Sequence, residues 1–408
     1  MLDKVKRLQD YIFMLLLLAL SSYKYTKYFF TVKNSAAGFP VTEDSLWYLE
    51  YARQMLTKFS ISLHVNDLLY IGYNMLLVAL LSVCKSPQTV LFAQVVTTSL
   101  GVLLVYQIAL MLFNRTTAVI AGLMYSFSLD LNIWTVYLLS DSFFTTLLLL
   151  NTFLWLKYFQ TNKRPYKLAA WLSLLWLTVF RPNGIITMLF LMPYIIYHSY
   201  GSKRLWQLLE KYRRLIIIVS GSGIFILAIL LYSGKLDGFC NSFHFNMKLL
   251  LYNVYAKGWI YDISTPYDHK WRPNYTIIGD YELLSFVYYN WPDILIMMKK
   301  KAQAFLGYWV VYSSPIYKLS MFIFSIPTIF FAIGTIGCLI ERKIAKASIL
   351  YYIIASVFIF CVIFFIDNMY RYRVPAMPAI YIITAYGVYY AFATTYAACR
   401  KIIKTYIN

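Results

Sequence analysis

Acidic residues are scarce in this sequence, 17 Asp and Glu against 37 Lys and Arg in 408 positions. Three of them, Glu43, Asp44 and Glu50, fall within one short stretch, Glu43-Asp44-Ser45-Leu46-Trp47-Tyr48-Leu49-Glu50-Tyr51-Ala52. It follows Gly38-Phe39-Pro40, a helix-stopping sequence, and sets Trp47, Tyr48 and Tyr51 at helical spacing beyond the acids. A carboxylate in such a setting can take, or orient, the proton of a bound hydroxyl. Asp44 is the candidate base; Glu43, the second candidate catalytic acid, either shares the acceptor or a metal with it or faces water. The plainer reading is that Thr42 or Asp44 caps a helix beginning near Ser45.

Three other polar motifs interrupt apolar sequence. Ser140-Asp141 opens a hydrophobic run, where an Asp caps a helix and meets the positive end of its dipole. If Asp141 shares a face with Asp44, the two carboxylates could hold an acceptor hydroxyl or share a divalent cation. Arg181-Pro182-Asn183-Gly184 is a tight turn between two apolar runs. An Arg so close to lipid must find an anion or snorkel to the interface, so its partner is a lipid headgroup or a substrate phosphate. Asp367-Asn368-Met369-Tyr370-Arg371-Tyr372-Arg373-Val374-Pro375 sets two arginines about Tyr372 just before a proline-bounded helix start. Their guanidinium forks match phosphate oxygens, while the plainer reading is an aromatic belt with Arg paired to Asp367. The sequence contains no Gly-rich phosphate loop, His-Glu-x-x-His or Gly-x-Ser-x-Gly elbow, so a nucleotide as direct donor has no support. Cys84, Cys240, Cys338, Cys361 and Cys399 lack metal-ligand spacing.

The elements that must position these residues are helices in a membrane. Hydrophobic residues make up 61% of the chain and charged ones 13%, with a mean hydropathy of +0.61. Apolar runs long enough to cross recur throughout. The expected spans are 11–31, 89–112, 117–134, 141–157, 167–181, 184–200, 215–233, 319–340, 348–366 and 379–398, an all-α polytopic protein of about ten transmembrane helices. A net charge of +20 on its own suggests nucleic acid, but the basic residues sit in short clusters between spans, the topogenic pattern. No nucleic-acid partner is expected.

Sidedness turns on the short apolar run 68–84. If it lies in the interface instead of crossing, and the N-terminus is cytoplasmic, more than half of the 37 basic residues fall in short cytoplasmic pieces: 1–10, Arg115, 157–167, 201–214, 341–346 and the C-terminal tail. If it crosses, the later clusters are translocated, against the positive-inside rule. Both termini are therefore expected inside, and Asp44, Asp141, Arg181 and Arg371-Tyr372-Arg373 all outside. The chain divides into an N-terminal transmembrane module (1–233, with a first outer loop 32–88), an extracytoplasmic segment (234–318) and C-terminal transmembrane helices (319–408). Lys299-Lys300-Lys301 is expected to open an interfacial stretch that meets acidic lipid headgroups.

Together the four motifs resemble those of the GT-C superfamily of integral membrane glycosyltransferases, in the branch of polyprenyl-phosphate-sugar mannosyltransferases and aminoarabinose transferases. The likeness rests on the first-loop acid with its aromatic and Ala followers (Asp44 to Ala52), Ser140-Asp141, Arg181-Pro182, and Arg371 to Pro378, in that order. It covers residues 1–200 and 345–400, and leaves 234–318 unmatched. The resemblance implies a polyprenyl-phosphate-linked sugar as donor, drawn from the membrane, and a glycan, lipid or protein acceptor. It implies that Asp44 is the base or acceptor-orienting group and that Arg371, Arg373 or Arg181 binds the lipid phosphate, with Tyr48 and Tyr372 beside the substrate. The 68–84 stretch resembles the family's surface helix but lacks its proline-rich start, and a second acidic pair of the metal-binding type is missing. The rival class is a lipid-linked glycan ligase, polymerase or flippase. A flippase calls for charges inside several spans, and the apolar runs here are nearly free of them. The absence of a large soluble domain after the spans favours a bacterial inner (plasma) membrane.

Overall fold

The computed structural model of the chain describes residues 2–58, 64–258, 260, 267–306, 315, 329–364 and 368–407; among them every regular element is helical. The first half runs through α1 (Leu2–Lys33), α2 (Glu43–Lys58), α3 (Val65–Leu69), α4 (Ile71–Cys84), α5 (Pro87–Leu112), α6 (Arg115–Ser126), α7 (Leu129–Ile133), α8 (Asp141–Thr161) and α9 (Arg164–Phe180). The second half comprises α10 (Pro182–Tyr232), α11 (Asp237–Leu249), α12 (Glu282–Leu306), α13 (Ile329–Ile340), α14 (Ile344–Ile363) and α15 (Met377–Ile407).

Each expected apolar run lies on a helix wherever it is described, and among the described residues fewer than ten of them stand out as clear spans. Among the described residues three segments are long and apolar enough to cross a bilayer, Pro87–Leu112, Ile344–Ile363 and Arg371–Arg400, and the bent pair Arg115–Ser126 with Leu129–Val136 makes a fourth if it is one span. They make the chain an integral membrane protein. Elsewhere polar residues turned into the bundle dilute the apolar signal. In α8, Asp141, Ser142, Thr145, Asn151 and Thr152 are all buried.

The run 117–134 is not one helix. Ser126 Oγ bonds back to Gly122 O at 2.8 Å, and Ser128 Oγ accepts from Leu131 N at 3.2 Å, capping a new helix at a 46° bend. Runs 184–200 and 215–233 are joined through helical backbone, broken at Gly201 (φ 67°). Helix α4 has 14 residues, about 21 Å at 1.5 Å per residue, short of the ~30 Å hydrocarbon core. It packs on α9 at Gly72, where an added Cβ would lie 2.9 Å from the Trp176 ring and 3.0 Å from Val179 O.

The polar motifs sort to two ends of the bundle. At one end Arg115 pairs with Asp10 at 2.6 Å and donates to Lys6 O at 2.8 Å, and Lys346 Nζ donates to Met111 O at 2.6 Å. These are the pieces expected on one side from charge alone. At the other end of α5, Gln94 Nε2 donates to Thr135 O (3.1 Å) and Tyr137 O (2.7 Å). That fixes the turn leading to Asp141 about 26 Å from Met111 along the helix.

Segment 234–318 is partly described. Helix α11 continues as a π turn, Leu250–Tyr255, and an irregular stretch then leads into α12. Lys301 corrects the expectation for the lysine run. It is fully buried, its Nζ donating to Phe364 O at 2.7 Å and lying 3.8 Å from the Tyr255 ring centroid, so no lipid headgroup reaches it. Tyr308 to Val311, Tyr261 to Pro266 and Asp367 lie outside the described residues.

Candidate active site

Thr42, not Asp44, caps α2. Ser45 N donates to Thr42 Oγ1 at 3.1 Å, and Thr42 N donates to Ser45 Oγ at 3.4 Å. Asp44 is thereby left to a different partner, Arg371, whose Nη1 donates to Asp44 Oδ2 at 2.8 Å. Arg371 Nε also donates to Asp141 Oδ2 at 3.0 Å. One guanidinium thus joins the first loop, the start of α8 and the entry to α15. The two acids differ in access: the Asp44 side chain is 49% exposed and that of Asp141 0%.

Arg371 and Arg373 look equivalent in sequence, yet they part company on the 3₁₀ turn Asn368–Ala376. With three residues per turn, positions two apart point in different directions. Arg373 turns into the bundle, fully buried. Its Nη1 donates to Phe305 O at 2.8 Å, and its Nη2 lies 3.6 Å from Asp130 Oδ2. The structure therefore does not bring Arg373 to the site, and Asp130, an acid the motif search passed over, neutralises it.

Arg181 is 1% exposed and forms a salt bridge with Asp141. Buried this deeply it cannot snorkel to a headgroup. Its carbonyl accepts from Gly184 N at 2.8 Å, and Pro182 serves as the first residue of α10, where a missing N–H costs nothing. Gly184 is required there, since a Cβ would meet Leu177 O at 1.8 Å. The Arg181 guanidinium carbon stacks 4.7 Å from the Tyr372 ring centroid, with that of Arg371 at 5.2 Å. Asp44, Asp141, Arg181 and Arg371 sum to no net charge, which makes burial of the inner three tolerable.

Asp44 and Glu43 stand on the wall of a cavity of about 470 Å³. Trp47, Tyr48, Tyr70 and Tyr372 give it an aromatic side. Tyr48, 1% exposed, packs edge-on against Tyr70 and Tyr73, with centroids 5.3 and 4.8 Å away. The opposite side comes from segments no motif had marked: Asn66 of α3, and Asn246, Leu250 and Asn253 after α10. Asn66 Nδ2 donates to Asn246 Oδ1 at 3.0 Å, and Val65 N to Ser242 Oγ at 3.1 Å, docking α11 on the first loop. The one signal in the sequence was the seven-residue spacing of Asn246 and Asn253, two turns on one helical face. Arg371 is not part of the wall; it lies behind Asp44 and Tyr372.

A divalent cation between Asp44 and Asp141 does not suit this donor set. The position between their carboxylates is taken by the Arg371 guanidinium, and Asp141 is shared with Arg181. Among the described residues no group of three or more His, Cys, Asp and Glu converges elsewhere.

No family model and no curated protein matches the chain at the sequence level. Among solved structures it is similar to the archaeal oligosaccharyltransferase AglB from Archaeoglobus fulgidus, determined in complex with an inhibitory peptide and a dolichol-phosphate. The TM-score is 0.51 at 12% identity, over 95% of this chain and 52% of that one. The chain thus spans about half the length of AglB and shares its fold at a distance.

Proposed function

We propose that the chain is a membrane glycosyltransferase. In this reading it moves a sugar from a polyprenyl-phosphate carrier to a hydroxyl of a lipid, glycan or protein on the extracytoplasmic face of a bacterial inner membrane, with Asp44 as base. The observation that carries the proposal is the half-exposed Asp44 carboxylate, held on a cavity wall of aromatic rings and amides by the buried Arg371. Support for a lipid-linked donor comes from the distant likeness to AglB, a structure that contains a dolichol-phosphate. Support for the sidedness comes from the charge bias: the Asp10–Arg115 end carries the basic clusters and would face the cytoplasm, with both termini, while Asp44 faces out.

In the proposed reaction the acceptor oxygen forms a bond to the anomeric carbon as the bond from that carbon to the phosphate oxygen breaks. The polyprenyl phosphate leaves with the electron pair, and the acceptor proton passes to Asp44. Arg371 occupies Asp44 Oδ2, which leaves Oδ1 to receive the proton. Arg371 is also bonded to a carboxylate of the cavity wall, so its field would offset charge growing on the leaving phosphate. The aromatic side suits a sugar face and a prenyl chain, and the Asn side suits hydroxyl groups.

The test is mass spectrometry of surface glycans from cells with and without the protein. The reading expects loss of one defined sugar from one acceptor when the protein is removed. An unchanged glycan profile would overturn it.

A further inference from the structure

Away from Asp44, the 46° break between α6 and α7 opens a second cavity of about 320 Å³ against α1. Its α1 side carries Lys24 and Lys27, three residues apart and so on one helical face. The other side carries Ser126, Phe127 and Asn132. Lys24 Nζ lies 4.9 Å from the Phe127 ring centroid, and Asn132 Oδ1 is buried without a hydrogen-bond partner. Among the described residues neither lysine has an acidic partner.

Two lysines without carboxylate partners, both lining one polar cleft, call for an anion. Lys24 and Lys27 lie nine and six residues before Lys33, the end of α1, about 14 and 9 Å along the axis. That depth lets long side chains reach the headgroup layer from within the bilayer. Below them on the Lys27 side the α1 surface is apolar and open, with Leu16 62% and Ile12 48% exposed. A charged head above an exposed apolar track matches an amphiphile better than a free ion.

We propose that the cleft between α1 and the α6–α7 break binds a lipid phosphate, held by Lys24 and Lys27, with its hydrocarbon chain along Leu16 and Ile12. Asn132 Oδ1 supplies an acceptor for a headgroup hydroxyl or for one of the ammonium groups. The site does not depend on the catalytic reading of Asp44, and it sits where a bound headgroup would brace the helix break.

The experiment is native mass spectrometry of the full-length protein from phosphatidylcholine nanodiscs doped with either phosphatidylglycerol or a polyprenyl monophosphate. At roughly fivefold per lysine near a surface, K24Q/K27Q should lower retention of the phosphate lipid about twenty-five-fold. K24R/K27R and the nearby control K33Q should retain it. Should the double variant fold poorly, K27Q alone, at an exposed position, should lose about fivefold. Preferential retention of the polyprenyl monophosphate would name the donor-type lipid as occupant, and equal retention would name any lipid phosphate; both support the site. Wild-type retention by the Gln variants, or an equal loss in K33Q, would overturn it.

Discussion

Arg371 and Asp44 lie 327 positions apart, yet Arg371 Nη1 donates to Asp44 Oδ2 at 2.8 Å. The last apolar segment and the first loop are thereby closed on each other at one end of the bundle. The second bond of Arg371, to Asp141 at 3.0 Å, prevents the guanidinium from following Asp44 if the loop moves. Asp44 is thus a surface acid with a buried, doubly anchored partner, a more constrained arrangement than a helix cap.

This makes Arg371 a positioning residue first. In purified protein, R371A should lower kcat by about a hundredfold, the scale of an ångström-level misplacement, while donor binding changes little. R371K should recover only part of it, since a single ammonium cannot reproduce the two-carboxylate fork. A loss confined to donor affinity, with kcat kept, would instead make Arg371 a phosphate ligand.

Asp141 should matter for stability more than for turnover. It is fully buried between Arg181 and Arg371, and D141N would leave Arg181 with a neutral partner in the bundle. Removal of one member of a buried pair costs roughly 3–5 kcal/mol. A denaturant or thermal series in detergent should show a loss of that order for D141N, and a smaller one for D44N, whose acid is half exposed.

How much of this could be read from the residues depended on the kind of contact. Charge clustering was enough to group Asp44, Asp141, Arg181 and Arg371 at one end and Asp10 with Arg115 at the other, because lipid forbids such groups in between. Arg371 and Arg373 could not be told apart, since a 3₁₀ turn and not the composition separates them, and only the fold brings Asp130 to Arg373. The Asn66–Asn246 docking joins residues 180 positions apart, and asparagines in a polar segment are ordinarily just solvated. Fewer than ten of the expected spans stand out among the described residues, because helices such as α8 turn polar residues into the bundle and hydropathy does not distinguish burial in protein from exposure to lipid.

Lys301 gives the protein a pH signature. Burial pushes its ammonium down to about 7, well below the ordinary lysine value of about 10.4. Between those values the folded chain binds fewer protons than the unfolded one. Stability contributed through this group therefore rises with pH across that window and is lowest below pH 7. K301M should flatten that slope in unfolding measurements between pH 7 and 10. A slope unchanged in K301M would mean that the Phe364 carbonyl and the Tyr255 ring keep the lysine charged.

The central claim is tested most directly by single-turnover transfer in proteoliposomes. Purified wild-type and D44N protein would be given a radiolabelled polyprenyl-phosphate sugar together with the acceptor identified from surface glycans. The account predicts that D44N folds, inserts and binds the donor as wild type does but transfers no sugar above background, whereas E43Q transfers. Wild-type transfer by D44N would contradict it.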